Sequence, residues 1–133
     1  MVTIDDLTGW ALALPETTEG LRWNHRTWSV NGKTFLWERP FSKADLKRFA
    51  DDAPPDGEIV AVTTGDLHEK ESVLAANNSG FFTIEHFENY PAVLIQLNAA
   101  DPAQVRQAVV DGWLACAPKA LVEAYLADNP QPE

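Results

Sequence analysis

Cysteine is almost missing from this 133-residue chain. Cys116 stands alone, so no internal disulfide can form, and the framework that staples many small secreted domains is excluded. Long apolar runs are missing too. Stretches such as Ala92 to Ile95 fall far short of the roughly 20 residues that a membrane-spanning helix needs. The first residues, MVTIDDLTGW, contain neither the basic region nor the apolar stretch of a signal peptide. Together these shortages lead us to expect a cytoplasmic protein without a membrane partner.

Short chemical motifs are equally scarce. The sequence contains no GxGxxG and no GxxxxGK[ST], which removes the usual signatures of a dinucleotide fold and a P-loop. It has no CxxC and no HExxH, and His25, His68 and His86 lie too far apart for any common zinc-ligand spacing. No serine sits in a GxSxG elbow. Cys116 falls on the apolar side of a predicted helix, where a free cysteine behaves as a small hydrophobe. The expectation is a non-enzymatic binding domain with no catalytic residues, no metal and no cofactor.

Positive charge is the third shortage. Ten basic residues face twenty acids, for a net charge of −10, so duplex DNA repels the chain at long range. The distribution is uneven, however. Arg22, Arg26, Lys33, Arg39, Lys43, Lys47 and Arg48 crowd into one segment, opposed there only by Glu38 and Asp45. Such asymmetry can mark an anion-binding face or a solvated surface. Arg22, Arg26, Lys33, Lys43, Lys47 and Arg48 are the candidates for contact with nucleic acid, DNA in particular, or with another anion. Aromatics interleave with them (Trp23, Trp28, Phe35, Trp37 and Phe41), as they do in proteins that stack the bases of single strands over a charged groove.

What is present is a chain of ordinary globular composition, 45% apolar and 23% charged, with five tryptophans. It is long enough to bury a core without staples. Thr3 reads as the N-cap of a helix carrying Ile4, Leu7, Ala11 and Leu14 at helical spacing, stopped by Pro15. A strand near Thr18 to Trp23 is followed by Arg26 to Val30, by Asn31-Gly32, and by Lys33 to Glu38. Asn-Gly between alternating segments is the strongest short hairpin signal. A two-residue turn sets Val30 opposite Lys33, Trp28 opposite Phe35 and Arg26 opposite Trp37. One face then carries Trp28, Val30, Phe35 and Trp37, and Arg26 makes a cross-strand cation–π pair with Trp37.

Ser42 opens a short helix through Ala50 with Leu46 and Phe49 on its apolar side. A loop at residues 51–57 leads to a buried strand over Ile59 to Val62. Asp66 and Glu69 begin a helix that ends near Ala76. Phe81 to Glu85 and Ala92 to Leu97 read as strands, and Asp101-Pro102 opens a helix with Val105, Val109, Trp113 and Cys116 inward. Pro118 starts a last helix with Leu121, Val122, Tyr125 and Leu126. Runs of adjacent strands predict an α+β fold, an antiparallel sheet flanked by helices. One domain over residues 1–128 and a polar tail over 129–133 complete the organisation.

The connection between the last two strands holds His86 and Tyr90. A loop held by rigid strands suits a ligand contact, and Trp23, whose register is open, joins them. Trp23, His86 and Tyr90 are therefore the candidates for a small-ligand or protein-partner site.

Several pieces in order also resemble a known family. Ala11-Leu-Ala-Leu-Pro15 with Thr17-Thr-Glu19, then Trp23, then Val30-Asn-Gly-Lys-Thr-Phe35, resemble the MmcQ/YjbR-like proteins. So do Phe81-Phe-Thr83, His86-Phe87, Tyr90-Pro-Ala-Val-Leu94 and Trp113-Leu-Ala-Cys-Ala-Pro-Lys119. The resemblance implies a single domain of the secretion-chaperone-like (YjbR-like) type. Members of that family often carry the label of DNA-binding protein. It supplies no catalytic motif to carry over.

Overall fold

The computed structural model describes residues 2–49 and 54–130. The expected helix end at Ala50 and the start of the following loop lie outside them. The described elements run α1 (Ile4–Leu12), β1 (Thr17–Arg22), β2 (His25–Val30), β3 (Lys33–Glu38), α2 (Lys43–Phe49), β4 (Ile59–Thr63), α3 (Leu67–Ala75), β5 (Phe81–Phe82), β6 (Ala92–Gln96), α4 (Pro102–Cys116) and α5 (Lys119–Asp128). Short 3-10 turns occupy Glu85–Phe87 and Leu97–Ala99. The strands form one sheet in the order β1-β2-β3-β4-β6-β5, and every neighbouring pair is antiparallel. The fold is α+β, as the element order predicts.

The helix starts are chemically specified. Thr3 Oγ1 accepts from the Asp6 amide at 3.1 Å, and the Asp6 carboxylate accepts from the Thr3 amide at 3.0 Å, a reciprocal cap that satisfies two orphan donors. Asp66 caps α3 through the Glu69 amide, and Asp101 caps α4 through the Gln104 amide. The main core lies between one sheet face and helices α1 and α4. Leu7, Trp28, Phe35, Leu36, Val62, Val109 and Trp113 are buried there, and α5 packs against its rim. Trp113 also donates to the Pro15 carbonyl at 3.0 Å, which ties the end of α1 to α4 across the chain.

The β2–β3 hairpin turns at Asn31 and Gly32, with φ of 51° and 76°. Its register differs from the expected one. Val30 pairs with Lys33 and Ser29 with Thr34, but Trp28 then pairs with Leu36 and Thr27 with Trp37. Phe35 is the extra residue of a β-bulge. Phe35 and Leu36 both enter the main core, and the alternation beyond them is reversed. Trp37 consequently faces the opposite side of the sheet. Arg26 does not stack on Trp37; its guanidinium lies 5.4 Å from the Trp28 ring.

A smaller second core lies on that opposite face. Ile59, Ala61, Phe87, Ala92 and Leu94 form it, with Trp37, Phe41, Phe82 and Ile84 packed around. It explains a further departure. The expected strand over Phe81 to Glu85 stops at Phe82, because the chain leaves the ladder to bring Ile84 and Phe87 over the sheet. In α2 the buried residue is Asp45, whereas Leu46 is 46% exposed. Asp45 turns inward because cations and a backbone donor await it there. Leu126, expected on an apolar face, is 37% exposed, since α5 is the outer layer and Tyr125 makes its contact with Trp113.

Candidate functional site

The second sheet face is covered only in part. Its small core sits over β4, β6 and β5, which leaves the β1–β2–β3 side open. The uncovered part is a groove of about 550 Å³, within the range of small-molecule sites. Thr27, Thr34 and Trp37 form its floor. Arg22, Trp23 and His25 border it from the β1–β2 turn, and Glu38, Arg39, Phe41 and Tyr90 from the other side. A hollow of about 280 Å³ adjoins it, lined by His86 and Phe87 and sharing Trp37, Arg39 and Tyr90.

The turn that carries Trp23 is strained. Trp23 and Asn24 both hold positive φ, 55° and 63°, a region that a bulky side chain seldom occupies. Trp23 is also 85% exposed. The two-residue turn between Arg22 and His25 itself demands positive φ at both positions, so what the fold does not need there is a large exposed aromatic. The floor residue Trp37 meets Tyr90 edge-on at 6.4 Å and Phe87 at 6.5 Å, and Phe87 meets Tyr90 at 5.6 Å. This cluster orients Tyr90 at the groove wall.

Two buried charges hold the walls. Asp45, with its side chain 1% exposed, accepts from Arg39 Nη1 at 2.9 Å, from the Ser42 amide at 2.9 Å and from Arg48 Nη1 at 3.4 Å. Burial by itself pushes the Asp45 carboxyl up. The Ser42 amide and the Arg39 guanidinium more than reverse this, so its pKa lies below the usual carboxylate range. Arg39 is thereby fixed over the Phe87 ring, 5.4 Å from its centroid. On α3, Lys70 is 3% exposed. Its Nζ donates to the Phe87 carbonyl and, at 2.8 Å, to the Tyr90 carbonyl. Lys70 therefore pins the segment that carries His86 and Tyr90. Burial pushes its pKa down, against a smaller opposing pull from Glu88.

The structure thus gathers the three residues proposed for a ligand site. Trp23 and Tyr90 line the groove, and His86 lines the adjoining hollow. The basic candidates are dispersed. Arg22 reaches the groove. Arg26 lies on the helical side, paired with Glu19 at 3.1 Å and donating to Thr8. Lys33 follows the β2–β3 turn, at the far end of β2 from Arg22, a strand length of about 20 Å. Arg48 is engaged with Asp45 and Glu85. Lys43 and Lys47 are exposed on α2. Sequence reasoning missed Trp37, His25 and Arg39 as groove residues. The bulge hid the first. The β1–β2 turn, Trp23-Asn24, lacks a recognisable turn signature and hid the second. Arg39 needed the buried carboxylate of Asp45 to position it.

Fold and groove together define a small α+β domain with an aromatic cleft on one sheet face, bordered by Arg22, Glu38 and Arg39. The chain is similar to mycobacterial proteins along nearly its entire length. It is 36% identical over 131 residues to the uncharacterised protein Rv2570 of Mycobacterium tuberculosis strain H37Rv and to the uncharacterised protein Mb2600 of Mycobacterium bovis. The match covers 97% of this chain and 99% of each relative. The chain belongs to the same family as these proteins. No family model and no solved structure matches it. Among the described residues, no helix is long and apolar enough to cross a membrane, and no three His, Cys, Asp or Glu side chains are grouped to hold a metal ion.

Proposed function

We propose that this protein is a binding domain, without catalytic chemistry of its own, for a small molecule that joins a flat ring to a negative charge. The observation that carries this reading is the composition of the groove. Trp23, Trp37 and Tyr90 offer ring faces and edges, and Arg22 adds positive charge, while Glu38 and Arg39, the latter paired with buried Asp45, complete the charged lining, in a chain whose net charge is −10. The Arg22 guanidinium, the His25 ring and the Tyr90 hydroxyl make no hydrogen bond to any described residue, so their polar atoms are open to a ligand. Stacking supplies affinity, and the guanidinium selects the anion.

Titration of intrinsic tryptophan fluorescence with adenosine monophosphate, phenyl phosphate and benzoate tests the reading. Saturable quenching that is reduced in Trp37→Ala and Arg22→Gln is expected. Quenching that is linear for all three probes, or unchanged in both variants, overturns it.

The second reading is a single-stranded nucleic acid lying along the groove. Base stacking on Trp23 and Trp37 favours it, with Arg22 at the groove border. Short oligonucleotides in the same assay should then outcompete the mononucleotide and lose affinity steeply with salt. The dispersal of Arg26, Lys33 and Arg48 makes this the weaker of the two. We further propose that this chain and its mycobacterial relatives are MmcQ/YjbR-like, a proposal supported by the order of the sequence pieces and by the antiparallel α+β architecture.

A further inference from the structure

A second cavity lies on the helical face of the sheet, away from the groove. It occupies about 320 Å³. Its floor is Val62, Phe81 and Val93, and α3 and α4 form its walls. The gap has a structural origin. Gly112 lets α4 approach β4 so closely that an added Cβ would stand 2.8 Å from Val62 and 3.2 Å from the Thr63 carbonyl. On the other side, Lys70 ties α3 to the 3-10 segment beside β6. The two helices are thus held at different places, α4 on β4 and α3 on the segment before β6, and the cavity lies between them.

The chemistry of this cavity is opposite to that of the groove. No lysine, arginine or histidine lines it, whereas Glu69 and Asp111 do. Several of the polar groups around it are already paired. Gln104 Nε2 donates to Asn78 at 3.1 Å, and Glu69 accepts from the Gly65 amide. Asp111 Oδ1 accepts from Gln107 Nε2 at 2.9 Å, and its Oδ2 has no partner among the described residues. The carboxylate is half-buried beside an apolar floor, no cation lines the cavity, and its free oxygen is accessible rather than sealed in the core, so a cationic donor in the cavity can reach it. Burial pushes its pKa up.

We propose that this cavity is a second ligand site, independent of the groove, for a small organic ammonium ion. The apolar body of the ligand packs on Val62, Phe81 and Val93, and its N–H donors meet the Asp111 carboxylate.

Benzylammonium is a suitable probe, with benzyl alcohol and benzoate as isosteric neutral and anionic controls. Binding is followed by calorimetry and by amide chemical shifts at moderate salt, where non-specific attraction to an acidic protein is screened. The expected result is saturable binding of benzylammonium alone, with shifts centred on Phe81, Gln107 and Asp111. Asp111→Asn keeps the acceptor for Gln107 and should weaken binding roughly tenfold or more, the scale of a charge-assisted hydrogen bond. Ala108→Leu, which fills the cavity and keeps both carboxylates, should abolish binding. Trp37→Ala, in the groove, should leave it unchanged. Equal binding of benzyl alcohol overturns the proposal. So does full affinity in Asp111→Asn or Ala108→Leu, or loss confined to Trp37→Ala, which would place the ammonium on the groove aromatics.

Discussion

Lys70→Met isolates what the buried ammonium does, because methionine keeps most of the stem and removes the donors. Two carbonyls, those of Phe87 and Tyr90, lose their partner. A hydrogen bond from a charged donor contributes about 1.5–3 kcal/mol, and a buried acceptor left without a donor costs about 1–3 kcal/mol. Against this, the variant no longer buries a charge, a relief that follows from the same desolvation that lowers the Lys70 pKa. The balance is a loss of about 2–3 kcal/mol. For a domain of this length that lowers Tm by roughly 10 °C. Thermal unfolding followed by far-UV circular dichroism measures it, and tryptophan fluorescence reports the groove in the same sample. Because the pinned segment carries Tyr90 against Trp37, the folded variant should also bind groove ligands more weakly. A Tm equal to that of the parent would refute the reasoning. It would mean that desolvation of the ammonium cancels both of its hydrogen bonds and that the loop holds itself.

Other expectations follow from the same contacts. Trp23→Gly removes an 85% exposed side chain from a position with φ of 55°; it should leave stability unchanged or raise it by up to about 1 kcal/mol while weakening phenyl phosphate binding, and a large drop in Tm would show that Trp23 is structural. Asp45→Asn should destabilise by about 2 kcal/mol at pH 7. Because the folded pKa of Asp45 lies below its unfolded value, its contribution is complete above the unfolded pKa and fades as pH falls through the folded one, so the Tm gap between variant and parent should close in acid. Asp111 has the opposite sign. Its folded pKa is raised, so ionisation destabilises the fold as pH rises from the unfolded value through the folded one. Asp111→Asn should therefore be more stable than the parent at pH 7 by about 1 kcal/mol or less, with the difference vanishing below the unfolded pKa. A difference that grows on acidification would contradict the assignment.

The groove was only half legible in the sequence. Trp23, His86 and Tyr90 could be nominated because an aromatic of open register and a loop between rigid strands are local features. That they converge depends on sheet order, which places β6 and the segment before it within reach of β3 through β4. The basic segment showed the opposite outcome. Its residues are adjacent in sequence, but strand alternation sends Arg22 and Arg26 to different faces, and the length of β2 separates Arg22 from Lys33. Proximity along the chain carried no information about a common surface.

By itself the sequence determined those features whose causes act over a few residues. Thr3, Asp66 and Asp101 fix helix starts because a side-chain acceptor three residues from an orphan amide needs nothing else. Asn31-Gly32 fixes a hairpin turn because both positions need positive φ. The spacing of Val105, Val109, Trp113 and Cys116 fixes the buried side of α4 because helical geometry is the same everywhere. Tertiary structure decided whatever depends on two segments competing for one place. The bulge at Phe35 exists because the main core takes both Phe35 and Leu36, and this turned Trp37 into the floor of a groove. Asp45 is buried and Leu46 exposed because Arg39, Arg48 and the Ser42 amide converge on one point. Asp111 stands beside the cavity between α3 and α4 because Gly112 brings α4 down on β4 while Lys70 ties α3 to the segment beside β6. Each of these is a balance of desolvation against partners supplied from distant parts of the chain, and only the folded arrangement provides the partners.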